Sequence, residues 1–248
     1  MHDGDFRIRG KEISRVEGLS DAVFGFAITL LAVSLEVPKT ADEVLHALRG
    51  VPAFAVTFLL LFNMWRIQFN YFRRYGIEDR RLVWLTAALL FVLLVFIYPL
   101  KFVMATLCES LLKHVGLPDP AFHRSVVLPD ADIPPLFAAF GFGLSAVFGV
   151  FSLMFRHAMS LRERLQLDNL ETFDTVESML ATRKVAILGA CMGLCYLIGT
   201  IRPDLAGPLA NIATAVVLGV ALWIMAQRRS RTKRRAAVER RRLAEASA

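Results

Sequence analysis

The sequence predicts an all-α integral membrane protein with six transmembrane helices per subunit, and three observations support this. Hydrophobic residues make up 56% of the 248 positions, and the mean hydropathy is +0.51. Both values are higher than is usual for a soluble domain. Six apolar runs are long enough to cross about 30 Å of hydrocarbon at a rise of about 1.5 Å per residue. The connecting segments alternate between rich and poor in Lys and Arg.

The six predicted spans account for most of the chain. They lie at approximately 19–37, 51–70, 82–107, 134–155, 184–201 and 207–226. This divides the chain into a cytoplasmic N-terminus (1–18), a transmembrane domain (19–226) and a basic cytoplasmic tail (227–248). The first run follows a charged stretch of mixed sign and precedes no A-x-A cleavage site. We therefore expect a retained span and not a signal peptide.

The distribution of Lys and Arg predicts that both termini lie in the cytoplasm. Basic residues concentrate in four segments, namely the N-terminus, 71–81, 156–184 and the tail, whereas 38–50, 108–133 and 202–206 contain few. Six spans place all four basic segments on one side, as the positive-inside rule requires. We expect the tail to contact anionic lipid, so the net charge of +7 requires no nucleic acid partner.

The sequence gives no positive sign of catalysis, of a cofactor or of a metal site. The histidines are scattered, and Cys191 and Cys195 lie among glycines that are typical of close helix packing. Phosphate-binding, nucleophile-elbow and metalloprotease motifs are missing from the sequence. Segment 156–183 has helical spacing and is expected to form either an interfacial helix or an extension of its neighbouring spans.

The first span separates an apolar stripe from an acidic residue. At about 100° per residue, Phe26, Leu30 and Val33 fall on one narrow stripe, with Thr29 on its flank. Asp21 lies about 140° around the helix from Phe26. The acid and the bulky side chains therefore point in different directions.

Asp21 requires a partner or water, because a carboxylate at the edge of hydrocarbon is costly. The second span runs in the opposite direction, so its cytoplasmic end lies at the same depth. There Trp65 and Gln68 are three residues apart and can both donate hydrogen bonds from one face. We call Arg15, Ser20, Asp21, Trp65 and Gln68 the polar clamp. Physical chemistry alone leaves open whether it only fixes the first helix or also serves transport.

The residues of these two spans resemble a known family. RVEGLSDAVFGFAITLL, at 15–31, is similar to the opening signature R-x-x-x-F-S-D of the transmembrane protein 175 family, the endosomal and lysosomal potassium channels and their bacterial homologues. The similarity continues through W-R-I-Q and EDRRLVWLTAALLFVLLVFIYPLK. Leu19, Phe26 and Gln68 depart from the family pattern. The family has Phe at the position of Leu19, Ile or Leu at that of Phe26, and His at that of Gln68.

The resemblance implies a potassium-preferring cation channel in the bacterial plasma (inner) membrane. In such a homotetramer the first helices surround a central pore, and Phe26, Leu30 and Val33 would form its apolar constriction. Thr29 would correspond to a pore threonine linked to selectivity, and the polar clamp would hold the helices in place. Potassium would be the permeant ion.

Two other functions are compatible with the sequence. One is a proton- or cation-coupled secondary transporter that uses Asp21, and the other is a non-conducting membrane scaffold that acts through 156–183 or the tail. No TVGYG-type loop is present, so a carbonyl filter is not available. A channel would have to select ions at the apolar constriction.

Overall fold

Within the residues that it describes, the computed structural model has five long helices and one short β-pair. Those residues are 2–3, 6–33, 40, 50–114 and 133–202. The strands β1 (His2–Asp3) and β2 (Phe6–Arg7) pair antiparallel. The helices are α1 (Arg15–Val33), α2 (Val51–Tyr75), α3 (Arg80–His114), α4 (Ile133–Ser160) and α5 (Asn169–Ile201).

Four helices are long and apolar enough to cross a membrane, namely α2, α3 over Arg80–Thr106, α4 over Pro134–Ser160 and α5. The prediction of a helical membrane protein is therefore confirmed. The first span is represented by α1, whose described part ends at Val33. The sixth span (207–226) and the tail (227–248) lie outside the described residues. Three points stay predictions: the number of six spans, the cytoplasmic location of both termini, and the division of the chain into N-terminus, transmembrane domain and tail.

The helices extend beyond the predicted spans at the basic side. α2 reaches Tyr75, α4 reaches Ser160, and α5 begins at Asn169 although its apolar part starts near 184. Segment 156–183 therefore extends the neighbouring spans around a turn at 161–166 and forms no separate interfacial helix. The early start of α5 has a local cause, because Asp168 and Glu171 form a reciprocal capping box.

α4 and α5 form a closely packed antiparallel pair. A Cβ added at Gly141 would lie 2.5 Å from the backbone nitrogen of Gly193 and 2.8 Å from the carbonyl oxygen of Gly189. The two backbones therefore touch, as small residues allow in membrane helices. The glycines make this contact, whereas Cys191 is exposed because it lies on another face of α5.

The apolar core lies where α1 packs against α2 and α3, and it continues from α3 to α4. α1 contributes buried residues at spacings of three and four, which place them on one helical face. These buried residues are Phe24, Ala27 and Leu31.

Candidate functional site

α1 has one face packed against the core and one face free of contacts with the described helices. Phe26 lies on the free face with 57% of its surface exposed. Thr29 is also exposed, and its hydroxyl donates to the carbonyls of Gly25 and Phe26 at 3.1 and 2.8 Å. Leu30 is half-buried at the edge of this face. Val33 is the last residue of α1, and its side chain lies outside the description.

Small residues continue the free face next to Phe26. Gly18, Ala22, Gly25 and Ala32 are exposed and lie at spacings of four, three and seven residues. A Cβ added at Gly18 or Gly25 meets no atom of the described chain within 4 Å. This strip therefore offers space for the close approach of another helix.

The structure brings together four of the five residues of the polar clamp. The indole Nε1 of Trp65 donates to Oδ1 of Asp21 at 2.8 Å. The amide Nε2 of Gln68 donates to Oγ of Ser20 at 2.9 Å. Ser20 and Gln68 are buried, whereas Asp21 is exposed. α1 and α2 are therefore joined by one hydrogen bond in the core and one at its rim.

Arg15 is the member of the clamp that the structure leaves apart. It is exposed at the start of α1, and no hydrogen bond or ion pair to Asp21, Trp65 or another residue of the described ranges involves its side chain. The part of the chain that the structure describes also gives Oε1 of Gln68, which is buried, no hydrogen-bond partner. The positions of these residues are now defined, while their functional roles stay predictions.

An aromatic row on α2 holds Trp65 in place. Neighbouring rings in the row have centroids 5.2 to 6.4 Å apart. Such contacts restrict the indole and so orient its N–H. The row consists of Phe54, Phe58, Phe62, Trp65 and Phe69, spaced three or four residues apart.

Residues 6–14 form an arm that the sequence analysis missed. Phe6 is buried against Tyr75 with ring centroids 5.5 Å apart, and the backbone N–H groups of Arg9 and Gly10 both donate to the carbonyl of Arg73 at 3.1 Å. The approach is so close that a Cβ on Gly10 would lie 2.4 Å from the oxygen of Phe72. The arm therefore packs directly on the end of α2.

Gly76 ends α2 and completes this packing. It has φ 55°, a left-handed conformation that favours glycine. Its N–H donates to the carbonyl of Phe72 at 3.0 Å. A Cβ at this position would lie 2.9 Å from the backbone carbon of Arg9, so glycine is required both by conformation and by space.

Arg9 joins the arm to the first turn of α5. Its guanidinium donates to both carboxylate oxygens of Glu171, at 2.6 and 3.1 Å, and its Nε donates to the carbonyl of Leu165 at 2.9 Å. The side chain of Glu171 is 1% exposed, and the backbone N–H of Arg7 donates to it at 2.9 Å. We call the Arg9–Glu171 pair the arm bridge.

The turn between α4 and α5 presents its backbone to the arm. Gln166 has φ 49°, which is uncommon for a residue other than glycine. Its carbonyl accepts a hydrogen bond from Nη2 of Arg7 at 2.8 Å and another from Nη2 of Arg9 at 3.4 Å. Two arginines of the arm therefore satisfy the carbonyl of this strained residue.

A second ion pair connects the start of α1 to the end of α2. Ser14 accepts a hydrogen bond from the backbone N–H of Glu17 at 3.1 Å, which caps α1. The carboxylate of Glu17 lies 3.5 Å from Nε of Arg73. Burial raises the pKa of Glu17, which precedes the apolar part of α1, and the Arg73 charge and the Ser14 contact offset this effect only in part.

Asp79 fixes the loop between α2 and α3. One oxygen accepts the backbone N–H of Leu82 at 2.8 Å, at the start of α3, and the other binds Nε2 of His157 near the end of α4. Burial acts to raise the pKa of Asp79, but the contacts with Leu82, His157 and Arg81 outweigh it and hold that pKa below its ordinary value. The sequence showed His157 only as one scattered histidine.

The arrangement is suited to holding a helix. Among the described residues no group of three or more His, Cys, Asp and Glu side chains could hold a metal ion. The clamp and the Glu17–Arg73 pair act on the first turns of α1, while the arm that precedes α1 packs on α2 and α5. The clamp and this pair fix the packed face of α1 and leave Phe26 directed away from the chain's own core.

Comparison with known proteins identifies similar chains. The family model described as endosomal/lysosomal potassium channel TMEM175 matches residues 15–97. A protein of Marivirga tractuosa named potassium channel is 35% identical over 87% of this chain and 84% of its own length. A Streptomyces collinus potassium channel is 34% identical over 42% of this chain and 54% of its own length.

A solved structure shows the same fold. It is a crystal structure of a threonine-to-alanine variant of the potassium channel MtTMEM175, in complex with a nanobody–MBP fusion protein. The two chains superpose with a TM-score of 0.73 and 31% sequence identity, over 90% of this chain and 98% of the other.

Proposed function

The chain belongs to the family of the endosomal/lysosomal potassium channel TMEM175, and on that premise we propose that it is a potassium-preferring cation channel of the bacterial plasma membrane. The resemblance found in the sequence is thereby confirmed. One observation carries the more detailed proposal: α1 presents Phe26, a large apolar side chain, on a face that the described helices of its own subunit leave uncovered.

We infer that four copies of α1 surround a central pore. A single helix cannot enclose an ion path, so conduction through α1 requires a symmetric oligomer. The strip of small residues beside Phe26 supports close contact between neighbouring α1 helices, while Phe26, Leu30 and Val33 would face the axis. A narrow apolar ring excludes water and blocks ions, and a slight widening admits both.

The polar clamp supports such a gate by holding α1 at one rotation about its axis. Gln68 binds Ser20 on the packed side, and Trp65 binds Asp21 at the rim. A rotation of α1 by one residue, about 100°, would break both hydrogen bonds and move Phe26 away from its place on the free face. Selectivity would then depend on dehydration at the ring, with Thr29 at its flank.

The test is ion flux into liposomes with the wild-type chain and Phe26→Ala. Removing the rings widens the apolar constriction, so we expect higher flux of both potassium and sodium and a lower ratio of potassium to sodium. Phe91→Ala is the matched control, because Phe91 is 71% exposed on α3 and has no place in the proposed pore. Flux and selectivity equal to wild type in Phe26→Ala would sink the gate assignment.

A coupled carrier that uses Asp21 makes a different prediction. Asn at position 21 keeps an oxygen that can accept the Trp65 N–H but cannot carry a proton. A channel with a structural Asp21 retains its flux in Asp21→Asn, whereas a carrier loses saturable, pH-dependent exchange while it stays folded. The observed Trp65–Asp21 hydrogen bond supports the structural role.

The oligomer is tested by the mass of the detergent-solubilised particle. A tetramer is expected. A monomeric particle that still conducts would contradict the shared pore, and a tetramer without any ion flux would favour the non-conducting scaffold.

A further inference from the structure

A basic cavity lies between α4 and α5 near their connecting turn. Its volume is about 1010 Å³. Three arginines, Arg156, Arg162 and Arg183, line it together with Glu163, and apolar side chains such as Leu153 and Ile187 form another part of its wall. The cavity is therefore amphipathic, with more positive than negative groups.

The cavity spans the depth over which the two helices change from apolar to charged. On α4 the apolar run ends at Phe155, and Arg156 follows. On α5 the apolar run begins at Val185, directly after Arg183 and Lys184. This depth includes the boundary between hydrocarbon and headgroups on the predicted cytoplasmic side.

The helix register places Arg156 and Arg183 on either side of one contact between α4 and α5. The hydroxyl of Ser152 donates to the carbonyl of Met179 at 3.4 Å, which sets the two antiparallel helices side by side. Arg156 and Arg183 each lie four residues from this contact, about 6 Å along the axis in opposite directions. Arginine side chains are long enough to bridge that distance.

The three guanidinium groups make no polar contact within the described ranges. Across residues 6–33, 50–114 and 133–202, no hydrogen bond or ion pair involves the side chain of Arg156, Arg162 or Arg183. Arg156 and Arg183 are exposed. Three guanidinium groups on one concave surface that pair with no described residue favour an oxyanion that accepts several hydrogen bonds at once, and phosphate has this property.

We propose that this cavity binds the phosphate headgroup of an anionic phospholipid. Arg156 and Arg183 would hold the phosphate, Arg162 would contact the outer part of the headgroup, and an acyl chain would lie along Leu153 and Ile187, which are 48% and 55% exposed. Basic pockets between membrane helices on the cytoplasmic side are suited to such headgroups. The site is separate from the basic tail and does not depend on ion conduction.

The experiment measures lipid binding to the full purified chain by native mass spectrometry. The chain is titrated with phosphatidylglycerol, and phosphatidylcholine serves as the neutral comparison. Each arginine that contacts the bound anionic headgroup is expected to contribute about fivefold to its binding. The double variant Arg156→Gln/Arg183→Gln should therefore bind phosphatidylglycerol about 30-fold more weakly, while Arg156→Lys/Arg183→Lys should retain most of the binding.

The control is Arg80→Gln/Arg164→Gln, which removes the same charge from exposed residues on the same predicted side but outside the cavity. It should bind phosphatidylglycerol as wild type does. Equal losses in both double variants would show a general surface effect and overturn the proposal, as would unchanged binding in Arg156→Gln/Arg183→Gln. Displacement of the lipid by inorganic phosphate at equal concentration would indicate a free-phosphate site and also overturn it.

Discussion

Breaking the arm bridge should destabilise the chain strongly. Arg9→Gln removes two hydrogen bonds, at 2.6 and 3.1 Å, from a carboxylate whose side chain is 1% exposed. Removal of one partner from a buried ion pair costs about 3–5 kcal/mol. The backbone N–H groups of Arg7 and Asp168 still donate to Glu171 at 2.9 and 3.3 Å, so we expect the lower limit, about 3 kcal/mol.

The assay is thermal unfolding of the full chain in detergent, compared at one scan rate because membrane proteins often unfold irreversibly. A chain of this size loses about 2–4 °C per kcal/mol, so the midpoint should fall by about 6–12 °C. Arg7→Gln is the matched control. The Arg7 side chain is 51% exposed and lies 3.8 Å from Glu171, so its loss should cost less than about 1 kcal/mol.

A double-mutant cycle separates the pair from its surroundings. If Arg9 and Glu171 act on each other, the effects of Arg9→Gln and Glu171→Gln will not add, and the coupling should lie at about 0.5–3 kcal/mol. Additive effects, or a loss in Arg9→Gln no larger than in Arg7→Gln, would refute the arm bridge as a stabilising contact.

Three further predictions concern contacts between helices. Trp65→Phe removes the N–H that Asp21 accepts and should lower thermal stability by about 1 kcal/mol; a wild-type midpoint would contradict the clamp. Gly141→Ala forces α4 from the facing backbone and should cost about 1–3 kcal/mol, whereas Gly149→Ala, which meets no described atom within 4 Å, should be tolerated in the same melt. The Asp79 pKa lies below its ordinary value, so the stability that this carboxylate contributes is present above its unfolded pKa and is lost as pH falls through the folded one. Wild type should therefore lose more stability below about pH 4 than Asp79→Asn does. Equal losses in the two proteins would argue against a stabilising role of the Asp79 carboxylate.

Helical periodicity was sufficient to predict that the neighbouring ends of α1 and α2 meet. The spacing of Trp65 and Gln68 and the opposite directions of two consecutive spans offered both side chains as donors to Asp21; in the structure Trp65 donates to Asp21, whereas Gln68 donates to Ser20. The same periodicity separated Phe26 from Asp21. Local geometry within one helix is fixed by about 100° per residue, so it can be worked out without knowledge of the rest of the fold.

The arm and its partners could not be predicted in this way. Arg9 and Glu171 are separated by 162 positions, and no local pattern links a basic residue before α1 to an acid at the start of α5. The capping box at Asp168 was a local signal for the early start of α5. Hydropathy obscured it, because the first turns of α5 carry several charged residues outside the apolar run.

The long separation between the two partners of the arm bridge also fixes the order of events during synthesis. The chain emerges from its N-terminus, so α1 to α4 are made before Glu171 exists. Throughout that period Arg9 has no acceptor on α5, and α1 is held only through its contacts with nearer helices. The arm can pack on α2 before α5 appears, but the arm bridge closes only afterwards, and a nascent chain that stops before Glu171 cannot form it.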